Sequence, residues 1–212
     1  MAYFPFFVDI SGAECLVVGG GRVALRKIQK LMIFGAKIRV VAPEICEEIS
    51  QMRLEIYRRR FEPADLDNAD FVISATDDGN ASREIFELCR ERRIPVNTVD
   101  DQERCSFIFP ALAISGDTTV GISTGGKSPL FASRLRKLIE EQLDDRLGET
   151  GKLLGEIRPY VKGNFPDERS SKDAMNVIFD LCMSCGQIPA KQEVYKILDD
   201  LRSGNENQNR DT

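Results

Sequence analysis

The stretch that decides the fold is Glu14-Cys-Leu-Val-Val-Gly-Gly-Gly-Arg-Val-Ala24, an apolar run that ends in three glycines. A short apolar run of this kind is typical of a buried parallel strand, and residues 23–34 then repeat apolar side chains at helical spacing. Gly35 provides a helix stop, and residues 37–41 predict a second strand. This order of strand, glycine turn, helix and strand is the βαβ unit that begins a dinucleotide-binding fold.

The glycines and the residues after them have the form GxGxxA. Gly19 permits the tight turn, Gly21 lets the backbone approach a pyrophosphate, and Ala24 keeps the helix close to the sheet. The start of the helix then offers unpaired N–H groups to an anion. The sequence therefore favours a nucleotide site over a glycine turn that binds nothing. Glu44 is the only nearby acid for the ribose, and a solvated helix start explains it equally well.

Strands and helices continue to alternate as far as about residue 110, which favours a parallel sheet. Further strands are expected at 54–61, 71–75 and 94–99, and a helix at 80–93. These elements predict an α/β fold with a Rossmann-type parallel sheet.

The pattern changes after Pro110. Two short strands flank Ser115-Gly-Asp117, which indicates a hairpin, and Ser128-Pro129 begins a long amphipathic helix. Three shorter helical stretches and a polar tail follow. The expected division is a Rossmann domain, a small α+β unit, a helical C-terminal domain and a disordered tail, at 1–110, 111–147, 148–202 and 203–212.

Composition narrows the class of protein. The 212 residues are 42% hydrophobic and 30% charged, as in an ordinary globular chain, and their net charge of -5 argues against a nucleic-acid-binding surface. Charges interrupt every apolar run, so we expect no membrane segment. Six cysteines, mostly within apolar patterns, suit a reducing compartment and a cytoplasmic protein. Cys182-Met-Ser-Cys185 is the only CxxC and has no second ligand pair, so no metal is assigned.

Polar residues follow the predicted strands at the edge where open α/β sheets bind ligands. Thr76 is a candidate cofactor contact there, although the acids after it also fit a helix start. Asp100 follows the next strand, where it is either a carboxylate facing the crevice or a solvated turn residue. Because the chain has no histidine, a carboxylate is the simplest general base. Ser123-Thr-Gly-Gly-Lys127 is either an anion-binding helix start or a plain connector.

Together these segments resemble the precorrin-2 dehydrogenase family, the amino-terminal type of sirohaem synthase, from Phe4 to about Leu147. The order and spacing of the matching stretches make the resemblance specific. They are Cys15–Lys27, Ala75–Asp78, Pro95–Asp100, Ser106–Pro110 and Ile122–Pro129.

The resemblance implies an oxidoreductase that uses NAD to convert precorrin-2 into sirohydrochlorin, a step of sirohaem and porphyrin biosynthesis. The family's NAD contacts fall on the glycine loop with Arg22 and Val23, and on Pro43 and Glu44. Its catalytic aspartate falls on Asp100. The family also implies that the hairpin and long helix build a homodimer, and that the helical tail helps to cover the substrate cleft.

Precorrin-2 is a polycarboxylate, so an acidic protein must present a local cationic surface to bind it. Thr124 stands where some relatives carry a second serine. Two alternatives stay open: a bifunctional enzyme that also inserts iron, and a non-enzymatic NAD-binding regulatory module with the same glycine loop. The candidate substrate contacts are the hydroxyls of Ser123 and Thr124 and the cations Arg104, Lys127 and Arg134, with Arg136 and Lys137 as further cations.

Overall fold

A computed structural model describes residues 3–185 and 187–208, with the side chains of 204–208 left aside. The chain divides into two compact units, Tyr3–Phe109 and the part from Pro110 onward. In the first unit the strands are β1 Glu14–Val18, β2 Lys37–Val41, β3 Glu55–Tyr57, β4 Phe71–Ser74 and β5 Val96–Thr98. The helices of this unit are α1 Arg22–Ile33, α2 Glu47–Ser50 and α3 Gly79–Arg92, with short 3-10 turns at Pro63–Leu66 and Gln102–Arg104.

The five strands form one parallel sheet in the order β3-β2-β1-β4-β5. The central strand β1 is buried on both faces, which explains its unbroken apolar run. Ile28 of α1 packs with the core on one face, and Ile85 of α3 packs with the core on the other. The predicted α/β fold with a Rossmann-type parallel sheet is confirmed.

The third strand is shorter than the predicted range 54–61, because the arginine-rich stretch after Tyr57 leaves the sheet. Arg59 instead makes a two-pronged ion pair with the buried Asp65, with Nη2–Oδ1 at 2.6 Å and Nη1–Oδ2 at 2.8 Å. Arg39 of β2 donates to the carbonyl oxygen of the same Asp65 at 2.8 Å. These contacts depend on the tertiary fold, so local sequence pattern does not reveal them.

The second unit begins with the antiparallel pair β6 Ala111–Ser115 and β7 Thr118–Ile122, the predicted hairpin. Gly116 in the turn has a φ of 53°, in the left-handed region that favours glycine. Buried side chains of α5, α6 and α7 form a core of their own, which includes Ile157, Ile178 and Leu198. The helices of the unit are α4 Pro129–Gln142, α5 Asp145–Asn164, α6 Glu168–Ser184 and α7 Lys191–Gln208.

The last helix runs further than the sequence suggested. Helix α7 continues to Gln208, into the stretch 203–212 expected to be disordered, and residues 209–212 lie outside the described part. Ser203 Oγ donates to the carbonyl oxygen of Asp199 at 3.0 Å, a local contact within a helix that no proline interrupts. Among the described residues, no helix is both long and apolar enough to cross a bilayer.

Candidate functional site

The glycine loop between β1 and α1 is fixed on two sides. Gly19 has a φ of 125°, and a Cβ there would lie 2.1 Å from the carbonyl oxygen of Ala75. A Cβ on Gly20 would lie 2.2 Å from the carbonyl oxygen of Glu44. A Cβ on Gly21 would meet nothing within 4 Å. The first two glycines therefore let the loop pack against its neighbours, while the third leaves open space in front of α1.

The first turn of α1 suits an anion. Gly21 is the N-cap residue and supplies no side chain to cap the helix, and the first turn carries no acidic residue. Arg22 is exposed at the helix start, Val23 is half-buried, and Ala24 is fully buried against the sheet. Backbone N–H groups with this exposure and a nearby guanidinium fit a pyrophosphate. The glycine loop and the start of α1 thus have the form that a dinucleotide site requires.

The carboxyl ends of three neighbouring strands lie level with one another. Val18 of β1 pairs with Ser74 of β4, which in turn pairs with Thr98 of β5. Adjacent strands are about 4.8 Å apart, so the end of β5 lies roughly 10 Å from the glycine loop across the sheet. A single extended cofactor along this edge can reach both the glycine loop and the end of β5.

Thr76 lies in the loop after β4, next to the turn at Gly19. Its Oγ1 accepts from the backbone N–H of Asp78 at 3.2 Å, and Asp78 Oδ1 accepts from Asn80 and Ala81 at the start of α3. Asp78 is therefore a helix cap, as the alternative reading of this loop expected, and Thr76 remains at the ligand edge.

Pro43 and Glu44 follow β2, and both are exposed. The backbone of Glu44 lies against Gly20, while its carboxylate is free to extend into solvent beside the glycine loop. This is the side of the loop where the adenosine ribose of a dinucleotide lies in such folds.

Asp100 and Asp101 have different surroundings although they are adjacent. Asp100 is exposed, has a φ of 60°, and accepts no hydrogen bond from any described residue. Asp101 caps the 3-10 turn by accepting from the backbone N–H of Arg104 at 3.2 Å, and pairs with its guanidinium at 3.4 Å. A left-handed conformation in a residue other than glycine costs free energy and is found at functional sites. Asp100 is thus the aspartate left available for a ligand.

Two buried side-chain oxygen atoms near Asp100 have no hydrogen-bond partner among the described residues. Asn97 donates from Nδ2 to the carbonyl oxygen of Phe107 at 3.0 Å, yet its Oδ1 accepts nothing among the described residues. Thr98 Oγ1 is likewise buried and unpaired there. A buried polar group without a partner costs about 1–3 kcal/mol, which a ligand or water can recover. Sequence reasoning missed both, because neither burial nor pairing can be read from spacing.

Lys27 is a third residue that sequence reasoning did not select. Its Nζ lies 3.8 Å from the centroid of the Phe109 ring, in a cation–π contact. Burial, followed by the positive charge of Lys30, lowers the pKa of Lys27 to about 8, against opposing contributions from Cys105 and Asp100. A lysine amine of this kind is partly neutral near physiological pH.

The candidate substrate contacts fall in both units. Arg104 belongs to the first unit and is paired with Asp101, whereas Ser123, Thr124, Lys127 and Arg134 belong to the second. Lys127 and Arg134 are exposed and take part in none of the ion pairs of the described residues, whereas Arg136 pairs with Glu140 and is not equally available.

The two hydroxyl candidates stabilise the loop before α4. Ser123 Oγ accepts from the backbone N–H of Gly125 at 3.1 Å. Thr124 Oγ1 donates to the carbonyl oxygen of Ser128 and accepts from its N–H, each at 3.2 Å. Gly125 and Gly126 both have positive φ values, 62° and 80°. Thr124 therefore has a structural role in this loop whatever it binds.

Comparisons with known proteins agree with this architecture. The family model described as "Putative NAD(P)-binding" matches residues 6–111, and the one described as "Sirohaem biosynthesis protein central" matches 119–142. A sirohaem synthase of Photorhabdus laumondii subsp. laumondii is 40% identical over 196 residues, which are 89% of this chain and 42% of that protein. One from Thioalkalivibrio sulfidiphilus is 42% identical over 171 residues, 79% of this chain and 35% of that protein. The chain thus spans about two fifths of the length of these relatives.

Among solved structures, SirC, a precorrin-2 dehydrogenase, matches with a TM-score of 0.72 at 23% identity. The match covers 95% of this chain and 100% of that one. At this identity the likeness establishes a shared fold.

Proposed function

Because this chain belongs to the NAD(P)-binding family, we propose that it uses NAD to dehydrogenate precorrin-2, giving sirohydrochlorin for sirohaem synthesis. One observation carries the proposal. A glycine loop built for a dinucleotide is joined, on one chain, to a segment that matches the central part of sirohaem biosynthesis proteins. The names of the sirohaem synthases and of SirC supply the substrate class.

The reaction removes two hydrogens from the macrocycle. One leaves as hydride with the electrons of a C–H bond, the other leaves as a proton, and the electron pair left behind forms a new double bond. Bound NAD supplies the hydride acceptor. The glycine loop and the start of α1 would hold the pyrophosphate, and Asp100 receives the proton, since it is exposed and follows β5 at the edge of the sheet where the loop also lies.

Substrate capture depends on exposed cations. Lys127 and Arg134 are exposed and outside the ion pairs of the described residues, so they are the best candidates to meet the carboxylates of precorrin-2. Arg104 is already neutralised in part by Asp101. We assign it a weaker contribution, with Ser123 and Thr124 as loop residues that place Lys127.

We further propose a homodimer in the cytoplasm. Helix α4 exposes Leu130, Phe131 and Leu138, at 71%, 59% and 59% of their surface, and only Ala132 of this helix is buried. A second copy of the chain would cover this apolar face. All six cysteines are free thiols, as a reducing compartment favours.

The choice of NAD over NADP follows from charge. The exposed Glu44 carboxylate after β2 repels a 2′-phosphate and accepts from a ribose hydroxyl. We expect the specificity constant for NAD to exceed that for NADP. Glu44→Ala should lower the ratio of the NAD constant to the NADP constant. Steady-state rates with both cofactors measure this, with Glu47→Ala in the neighbouring helix as the matched control. A wild-type preference for NADP would refute the assignment.

The experiment that tests the function is an anaerobic incubation of the purified chain with precorrin-2 and NAD. The expected product has lost two hydrogens by mass spectrometry and has the absorbance spectrum of sirohydrochlorin. Omission of NAD is the control for spontaneous oxidation. Product formation at the same rate without NAD would contradict the proposal.

A further inference from the structure

The thiol of Cys105 is hydrogen-bonded to backbone groups on both sides of Asp100. Its Sγ accepts from the backbone N–H of Thr98 at 3.2 Å. As a donor, the same Sγ lies 3.1 Å from the carbonyl oxygen of Thr98 and 3.2 Å from that of Asp101. Because these two carbonyls flank Val99 and Asp100 in the chain, one sulfur atom ties together the two ends of the turn that carries Asp100.

The sulfur atom is itself fixed against β5. Asn97, a buried residue of that strand, donates from Nδ2 to Cys105 Sγ at 3.4 Å and to the carbonyl oxygen of Phe107 at 3.0 Å. The next residue along the chain, Ser106, donates from its backbone N–H to the carbonyl oxygen of Val96 at 2.9 Å. The thiol therefore connects the turn to a strand of the sheet.

The turn needs such support because of its backbone conformation. Asp100 has a φ of 60°, and a left-handed residue other than glycine persists only where the surrounding contacts hold it. The exposed carboxylate accepts no hydrogen bond from a described residue, so the backbone of the turn sets its direction. Burial raises the pKa of the Cys105 thiol, so the thiol keeps its proton near neutral pH and remains a donor.

We propose that Cys105 is a positioning residue, whose thiol holds the turn in the conformation that directs the Asp100 carboxylate toward the substrate. This inference rests on the function proposed above, in which Asp100 receives the proton. Cys105 acts through Asp100 and need not touch the substrate or NAD. A displacement of about 1 Å at a reacting group can cost about a hundredfold in rate, so the loss of these hydrogen bonds should affect turnover.

The test compares three single variants. Cys105→Ala removes both the donor and the acceptor, whereas Cys105→Ser keeps both on a slightly shorter side chain. Cys89→Ala is the matched control, because Cys89 is buried in the core beside α3 and its thiol makes no hydrogen bond among the described residues. The measurements are the turnover number, the Michaelis constant for precorrin-2 and the dissociation constant of NAD.

Cys105→Ala should lose about ten- to a hundredfold in turnover, with little change in the Michaelis constant or in NAD affinity. Cys105→Ser should recover most of that loss, and Cys89→Ala should keep the wild-type turnover. If wild-type protein converts precorrin-2 and Cys105→Ala does so at the same rate, the inference about Cys105 fails while the function stands.

A double variant separates positioning from a general effect on the fold. Once Asp100 is replaced by Asn, there is no base left to position, so Cys105→Ala should change the residual turnover of Asp100→Asn by less than about twofold. The same ten- to hundredfold loss in both backgrounds would mean that the thiol only stabilises the fold, and would overturn the inference.

Hydrogen exchange followed by mass spectrometry tests the contact without any activity. Cys105→Ala should speed the exchange of backbone N–H groups in residues 98–104, and Cys89→Ala should not. Wild-type protein that makes no NADH from precorrin-2 would refute the proposed function, and the exchange rates would still show whether Cys105 holds the turn. Unchanged exchange of residues 98–104 in Cys105→Ala would overturn the inference.

Discussion

At the scale of single residues, Gly21 offers the sharpest test of the cofactor site. Gly21→Asp should fold normally, because a side chain there meets open space, but it places a negative charge where the pyrophosphate binds. NAD affinity should fall at least about tenfold. Fluorescence titration measures it, with thermal unfolding as the check on folding. Unchanged NAD affinity in a folded variant would show that the site is elsewhere.

A substitution at Gly20 serves as the control, because it should affect folding rather than the cofactor site. A Cβ on Gly20 would lie 2.2 Å from the carbonyl oxygen of Glu44, so the loop after β2 has to move. Gly20→Ala should therefore lower the melting temperature, whereas Gly21→Asp should not. If Gly21→Asp lowers the melting temperature and Gly20→Ala does not, the structural roles given to these two glycines are wrong.

Asp100 is the residue on which the chemistry depends. Asp100→Asn keeps the shape of the side chain and removes the base, so turnover should fall by roughly two to four powers of ten with NAD binding intact. Asp101→Asn should affect mainly the 3-10 turn that Asp101 caps. If Asp100→Asn makes NADH at close to the wild-type rate, Asp100 is only a turn residue.

Site residues could be predicted from sequence where a local motif defines them. The GxGxxA spacing was enough to select Gly19, Gly21 and Ala24 as candidates; Gly19 packs closely against Ala75, Gly21 faces open space and Ala24 is buried. It was not enough for Lys27, because the burial that lowers its pKa and its contact with the Phe109 ring both depend on the tertiary fold. The roles of the predicted site residues stay predictions that the variants above test.

At the scale of elements, the ion pair between Arg59 and Asp65, in the stretch after β3, stabilises that part of the fold. Burial raises the pKa of Asp65, but hydrogen bonds from Arg59 and from the Glu62 backbone lower it by more, so the net pKa lies below its usual value. The stability that this carboxylate contributes is therefore present above the unfolded-state pKa, about 3.9, and is lost as pH falls through the lower folded-state pKa.

Asp65→Asn should accordingly reduce the free energy of unfolding by about 1–3 kcal/mol near neutral pH. The difference from wild type should shrink at about pH 3, below the unfolded-state pKa. Urea unfolding at both pH values measures it. Asp67→Asn is the control, because its ion pair with Arg92 is on the surface and contributes little. Equal losses of unfolding free energy in Asp65→Asn and Asp67→Asn would contradict the stabilising role given to the Arg59–Asp65 ion pair.

Most elements could be predicted because each has its own local signal. The apolar run of β1, the Ser128-Pro129 start of α4 and the Gly116 turn agree with the structure to within a residue or two. The end of β3 could not be predicted, because the tertiary contacts of Arg59 decide where that strand stops. The short α2 has too few residues to show a helical period.

At the scale of the whole molecule, the apolar face of α4 predicts assembly. The full chain should sediment as a dimer at micromolar concentration, and Leu130→Lys combined with Phe131→Lys should make it monomeric. Val177→Lys on α6 replaces another exposed apolar residue and should leave the dimer intact. A monomeric wild-type chain would refute this interface.

We propose that this chain transfers hydride from precorrin-2 to NAD. The most direct measurement is the amount of NADH formed per precorrin-2 consumed, followed anaerobically with purified protein. We predict one NADH for each precorrin-2 converted, at a rate proportional to protein concentration and nearly abolished by Asp100→Asn. Consumption of precorrin-2 without formation of NADH, or no consumption by folded protein that binds NAD, would contradict the claim.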